Sequence, residues 1–332
     1  MKTDSAKRQL ETDPDCKQTG KCIRGELDAL FVVSSEAVEG KGEDSFCCSC
    51  TDDAAIMGVF DGCGGLGSRQ YDHYEKHTGA YIASRLASGA VYNWFQTERR
   101  LVSPDKIPAS LKARITAALR DGMENGGSTL KLRGSMVRDF PATAAVVMAV
   151  QGRTKTFIRV FWAGDSRVYL LGRNGLMPLS RDDTDSEDAF DDLRNDPVQT
   201  NVLSSDGNYT LHERSFASTG PLLIVAASDG YFGYWNTPME FEFFLLDTLN
   251  RSSCLDEWKA SLRSEIQDVT GDDATLAVMA FQFGTFSRMK SVFKDRYQRL
   301  KKHYIDPLKD YCPEEKARAL WMEYKKGYGK YL

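Results

Sequence analysis

The chain of 332 residues has no apolar stretch near membrane-spanning length: the longest clean runs are Ala142 to Val150 and Leu222 to Ala227, far below the roughly 18 residues a transmembrane helix needs. It has no excess of positive charge. A formal net of −4 lacks the basic footprint of a nucleic-acid binder. The first residues, Met1-Lys2-Thr3-Asp4-Ser5, carry no secretory apolar core. The eight cysteines do not form the two paired Cys-x-x-Cys units of a structural zinc site. These absences lead to the expectation of a cytoplasmic chain with reduced thiols, in which Cys47 and Cys48 fill a strand and point to opposite faces of a sheet. Histidine is scarce, four in all. His73 and His77 stand one helical turn apart but have no acidic or cysteine neighbour in sequence, so a solvated helix face is the plainer reading. What the chain does have is enough apolar material, 42% with 11% aromatic, for the core of one large domain or two.

The most informative segment is Val59-Phe60-Asp61-Gly62-Cys63-Gly64-Gly65, a strand running into an aspartate wrapped in glycines. Glycine permits close backbone approach, and an aspartate there can hold a hard cation beside a glycine carbonyl. Alone, this pattern also describes an ordinary tight turn. However, acids at the ends of apolar runs recur: Glu43-Asp44-Ser45-Phe46, Ala163-Gly164-Asp165-Ser166-Arg167, Ala227-Ser228-Asp229-Gly230 and Gly271-Asp272-Asp273-Ala274-Thr275. Carboxylates gathered at strand ends repel one another unless cations neutralise them. All-oxygen donors suit Mg²⁺ or Mn²⁺ rather than Zn²⁺.

In order and context these motifs resemble the PPM (type 2C) metal-dependent serine/threonine protein phosphatases. Glu43 to Phe46 looks like that family's Asn-Glu-Asp-Ser-Phe, Asp61 to Gly65 like its Asp-Gly-x-Gly-Gly, and Thr143-Ala144-Ala145-Val146 like its Ser-Thr-Ala-x-Val. Gly164 to Arg167 matches its Gly-Asp-Ser-Arg, Ser228 to Gly230 its Ser-Asp-Gly, and Asp272 to Thr275 its Asp-Asn/Asp-x-Thr. The resemblance implies two Mn²⁺ or Mg²⁺ ions. Asp61 would bridge them, Asp229 and Asp272 would complete one site, and Glu43 with the Gly62 carbonyl the other. Asp44 would hold metal-bound water, and a water shared by the two ions would attack phosphorus. A third ion is an open alternative, and Asp139 lies near the place of its aspartate. The family's phosphate-gripping arginine has no counterpart in Glu39-Gly40-Lys41-Gly42, which leaves Lys41 as the nearby cation, a point charge without the bidentate fork. Cys63 stands where many members have histidine. The implied substrate is a phosphorylated protein, with a cognate kinase or regulator as a further partner. The missing arginine keeps a second reading open, a catalytically weak or inactive module that binds a phosphorylated partner.

Strand-length runs at Ala29–Val33, Phe46–Cys50, Ala54–Phe60, Ala142–Val150, Thr156–Ala163 and Val168–Leu171, a hairpin signal at Asn174-Gly175, and a last strand at Thr275–Phe283 predict antiparallel sheets. Helical spacing is expected from Ser68 to about Arg99, from Ile107 until glycines at Gly122, Gly126 and Gly127, over Pro238–Leu249, and over Leu255–Val269. The fold class expected is α+β, an αββα sandwich of two antiparallel sheets flanked by helices. Residues 1–26 read as a flexible polar leader, 27–285 as a PPM-type phosphatase domain, and 286–332 as a basic helical C-terminal extension. Thirteen Lys and Arg against six Asp and Glu in 287–332 put that segment at +7 and the remainder at −11. Packing of the extension on its own acidic body is the plainest reading, with docking to a partner or to an anionic surface as alternatives. Seven acids between Asp182 and Asp192 form either a flap that selects basic substrates or simply a solvated loop. Arg167 is expected to pair with a carboxylate, Asp165 to shape its turn, and Thr143 to be core.

Overall fold

The computed structural model describes residues 26–125, 139–186, 188–193, 197–308 and 314–328. The expected leader, apart from Glu26, and the glycines Gly126 and Gly127 lie outside them. Apolar and β-branched runs with two buried faces form long strands. One antiparallel sheet has the order β1-β12-β11-β8-β9, comprising β1 (Leu27–Ser35), β8 (Arg167–Gly172), β9 (Gly175–Pro178), β11 (Leu222–Ala227) and β12 (Ala274–Phe281). The second has the order β10-β7-β6-β3-β2, comprising β2 (Ser45–Cys50), β3 (Ala54–Phe60), β6 (Ala144–Gln151), β7 (Thr156–Ala163) and β10 (His212–Ser218). Strands β4 (Gln70–Tyr71) and β5 (His77–Thr78) make a separate small ribbon.

The sheets pack face to face through Leu30, Met57, Val147, Ile224 and Met279, all buried. Helices α1 (Gly79–Thr97) and α2 (Ile107–Asn125) cover the β2–β10 sheet, with Trp94 and Phe95 fully buried beneath them. Two four-residue turns, α3 (Ala189–Asp192) and α4 (Asp229–Phe232), precede the helices on the other side: α5 (Pro238–Arg251), α6 (Leu255–Gln267), α7 (Phe286–Leu300) and α8 (Glu314–Tyr328). Trp258 and Trp321 are buried in the core they share with the β1–β9 sheet. Each such side chain contributes on the order of 1.5–3 kcal/mol by leaving water. The expected αββα sandwich is therefore the observed fold. Among the described residues no helix is long and apolar enough to cross a membrane.

Several local expectations are corrected. The helix expected from Ser68 begins only at Gly79, because Glu75 and Lys76 adopt φ values of 54° and 64°, which no right-handed helix accommodates. His73 and His77 are therefore not neighbours on one helix face. Gly122 does not stop α2, which runs on to Asn125. The β8–β9 hairpin forms, but Gly172 pairs with Gly175, so the turn residues are Arg173-Asn174, one position earlier than the Asn-Gly signal. Cys48 and Cys50 are disulfide-bonded, against the expectation of reduced thiols. Both face the space between the sheets, whereas Cys47 faces the helices and is free. Spacing in sequence does not reveal such bonding, since the fold decides which sulfurs meet.

Candidate functional site

Strand register gathers the acids. Ser45 pairs with Phe60, so Asp44 and Asp61 emerge side by side where β2 begins and β3 ends. Ala144 pairs with Ala163 at the same end, which places Thr143 beside the Gly164-Asp165 turn. In the facing sheet Ala227 pairs with both Arg167 and Leu276, so Asp165, Asp229 and Asp273 also emerge together. One edge of the sandwich thus collects carboxylates from both sheets. The antiparallel bridge of Gly62 with Ala142 and the bond from the Thr143 amide to the Asp61 carbonyl (2.8 Å) fix the loop after β3. A Cβ on Gly64 would collide with the Glu43 carboxylate, so a larger residue there must push that carboxylate aside.

The resulting cluster is electrostatically strained. Burial, then the charges of Asp229, Asp44, Asp165 and Asp272, push the Asp61 carboxyl well above its ordinary range. Burial, then Asp165, Asp44 and Asp272, do the same to Asp229. Burial lifts Asp44 to about 7 and Asp165 to about 6, and it also raises Glu43. Asp44 takes a 2.7 Å hydrogen bond from the Ser228 hydroxyl on Oδ2, while its buried Oδ1 has no partner, and the same is true of Asp165 Oδ1. Glu43 accepts the Thr78 hydroxyl, and its amide donates to Asp273 Oδ2 at 2.6 Å. Asp272 is exposed at the rim. Asp139 receives the Tyr71 hydroxyl at 3.3 Å. Lys41 is exposed, in a turn closed by its own amide on Val38.

Sequence reasoning missed four contributors. Arg85, buried on α1, donates to the Gly42 carbonyl at 3.0 Å and lies 3.4 Å over the Tyr81 ring, so a cation that acts on Glu43 comes from a helix. Its signal was a lone charge in the small and apolar run Gly79 to Val91. Thr78, Ser228 and Asp273 hold Glu43 and Asp44 in place. Asp165, read as a turn former, is part of the charged cluster. Burial and then Asp61, Asp165, Asp229 and Glu43 push the Cys63 thiol far up, so it stays protonated and is a poor acid. Arg167 pairs with Asp182, as expected (2.6 Å). Thr143 is buried, as expected, but also links the site turns: its hydroxyl lies 2.6 Å from Ser166 and 3.4 Å from the Asp61 amide.

Oxygen donors crowded beyond what Arg85 and Arg167 compensate, two of them buried and unpartnered, fit a hard divalent ion. Among the described residues no three His, Cys, Asp or Glu side chains close on one point as they stand.

A sandwich of two antiparallel sheets flanked by helices matches the fold of the PPM phosphatases. Among solved structures the chain is similar to the serine/threonine phosphatase PstP/Ppp of Mycobacterium tuberculosis (15% identity, TM-score 0.53, 77% of this chain and 99% of that one). It is likewise similar to the catalytic domain of PstP in complex with two manganese ions (17%, 0.52, 77% and 99%) and to Stp1 of Staphylococcus aureus (14%, 0.56, 82% and 100%). At such identities the likeness establishes the fold. No family model and no curated protein matches the chain.

Proposed function

We propose that the chain is a metal-dependent protein serine/threonine phosphatase, with residues 27–285 as the catalytic unit and 286–332 as an extension. Asp61, Asp229, Asp272, Glu43 and the Gly62 carbonyl would hold two Mn²⁺ or Mg²⁺ ions, with Asp139 reserved for a third. Bound there, divalent ions would supply positive charge for the phosphoryl oxygens and acidify a water. The chain's own residues do the rest. Asp44, anchored by Ser228 through one oxygen, presents the other to orient an attacking water. Lys41 offers an exposed positive charge to the phosphate. Arg85 fixes the Gly42 carbonyl and with it the approach of Glu43. The observation that carries this reading is the unpartnered, buried Asp44 Oδ1 inside a cluster of acids drawn from both sheets.

The test is hydrolysis of an aryl phosphate with added Mn²⁺. Chelator, Asp61→Asn and Asp229→Asn should each lower turnover by at least about a hundredfold. Turnover retained in either variant defeats the proposal. A phosphoprotein-binding module is the second reading, favoured by the commitment of Arg85 to main-chain carbonyls and the exposure of Lys41. Tight calorimetric Mn²⁺ binding without turnover would select it. A phosphoprotein substrate, a cognate kinase or regulator, and a cytoplasmic location belong to the same proposal; the disulfide bonding of Cys48 and Cys50 stands against that location.

A further inference from the structure

The acids between Asp182 and Asp192 neither form a solvated loop nor stand ready for basic substrates, because each described one has an internal partner. Asp182 and Asp192 pair with Arg167 at 2.6 and 3.1 Å. Asp183 accepts from the Gly164 amide (3.0 Å), Asn201 and His212. Asp185 caps the Val198 amide at 3.0 Å. The remaining two are taken by the last helix. Asp188 receives Trp321 Nε1 at 2.8 Å and Lys325 at 2.5 Å, and Asp191 receives Arg318 at 2.8 Å. Between them Phe190 is fully buried, its ring stacked near Trp321 and 5.1 Å from the Arg318 guanidinium. Helix α8 is itself moored from behind: Tyr324 donates to buried Glu242, which Arg296 of α7 grips with two 2.6 Å bonds.

From this acidic segment contacts continue into the candidate site. Arg167 is buried, lies 4.2 Å over the Phe232 ring of α4, the turn that opens with Asp229, and donates to the Tyr169 hydroxyl. Tyr169 in turn packs on Tyr328 of α8. Arg167 directly follows Asp165-Ser166, and Ser166 bonds Thr143, which bonds the Asp61 amide.

We propose that α8 is a positioning element for the site: Arg318, Trp321 and Lys325 clamp the Asp188–Asp192 segment, and Tyr328 supports β8, so that Arg167 holds the Asp165 turn in register with Asp61. This rests on the phosphatase reading only for its kinetic consequence. The ion pairs of Arg318 and Lys325 are partly open to water, so they add little to global stability and act on local opening.

The experiment uses the full chain. In an Arg318→Ala/Lys325→Ala variant, amide exchange at Gly164 and Asp183 should accelerate about three- to tenfold with an unchanged melting temperature. The Mn²⁺-dependent kcat on an aryl phosphate should fall by a similar factor with KM unchanged. Lys325→Gln, which keeps the aliphatic stem of a partly exposed side chain but removes the charge paired with Asp188, should act the same way to a smaller degree. Arg318→Asp combined with Asp191→Arg should restore both readouts. Faster exchange confined to residues 190–192, with Gly164 and Asp183 still protected, overturns the proposal and leaves α8 as a cover only. Loss of turnover in proportion to a fall in melting temperature overturns it too. If the wild-type chain shows no turnover, the phosphatase reading fails, while the exchange at Gly164 and Asp183 still decides the clamp.

Discussion

A single methyl group is enough to test the site at the scale of one residue. Gly64 lies so close to the Glu43 carboxylate that a Cβ would displace it, and Glu43 is otherwise fixed by Thr78 and Asp273. Gly64→Ala is expected to weaken Mn²⁺ binding about tenfold or more, read by calorimetry, while the far-ultraviolet circular dichroism stays unchanged. Cys63 offers a second check. With its thiol pushed up by burial and by acids on several sides, it should be alkylated at pH 7.5 far more slowly than exposed Cys254, as mapped by mass spectrometry. The acids themselves were readable from sequence because each follows or precedes an apolar run, a pattern local enough to survive without coordinates. Arg85, Ser228 and Asp273 were not readable in their roles. Each acts on a residue at least 43 positions away, and no local pattern encodes a contact that long-range strand pairing creates.

At the scale of elements, strands with two buried faces announced themselves by composition: β3, β6, β7 and β12 were expected within two residues of their observed bounds. The strand β10 did not, since its residues alternate between partly and fully exposed on a sheet edge and carry little apolar signal. Nor did the ribbon of β4 and β5, where apolar spacing imitated a helix until two left-handed residues intervened. The C-terminal helices were legible from their apolar stripes, but their berth was not. Their mooring can be measured. Arg296→Ala removes the partner of a fully buried Glu242 and should cost about 3–5 kcal/mol in denaturant unfolding. The docking of α8 should also respond to acid. Burial acts to raise Asp188, but Lys325, the Phe190 amide and Trp321 outweigh it and hold the carboxyl below its ordinary value. A folded-state value below the unfolded one makes this contact favourable above about pH 4, and the benefit vanishes as pH falls through the folded-state value. Exchange of α8 amides, corrected for intrinsic rates, should therefore accelerate from pH 6 to pH 3 more than that of α1.

Across the whole molecule, the described helices of the extension are part of the fold. Phe293, Leu300, Trp321 and Tyr324 share one core with the sheet and with α5 and α6. Truncation at Thr285 should accordingly lower the melting temperature by several degrees instead of releasing a more active enzyme. The thiol count offers an independent check. Unfolded without reductant, the chain should titrate fewer than its eight cysteines, and all eight after reduction. The division of acids between the sheets has a further result. Because Glu43, Asp44 and Asp61 flank strands of one sheet and Asp165, Asp229 and Asp272 flank strands of the other, an ion held among them would rivet the two halves together. Calorimetric scans at rising Mn²⁺ should then show resistance to heat climbing with the logarithm of concentration, about 1.4 kcal/mol per decade for each ion once bound, so that a thermometer alone reports how many rivets the joint accepts.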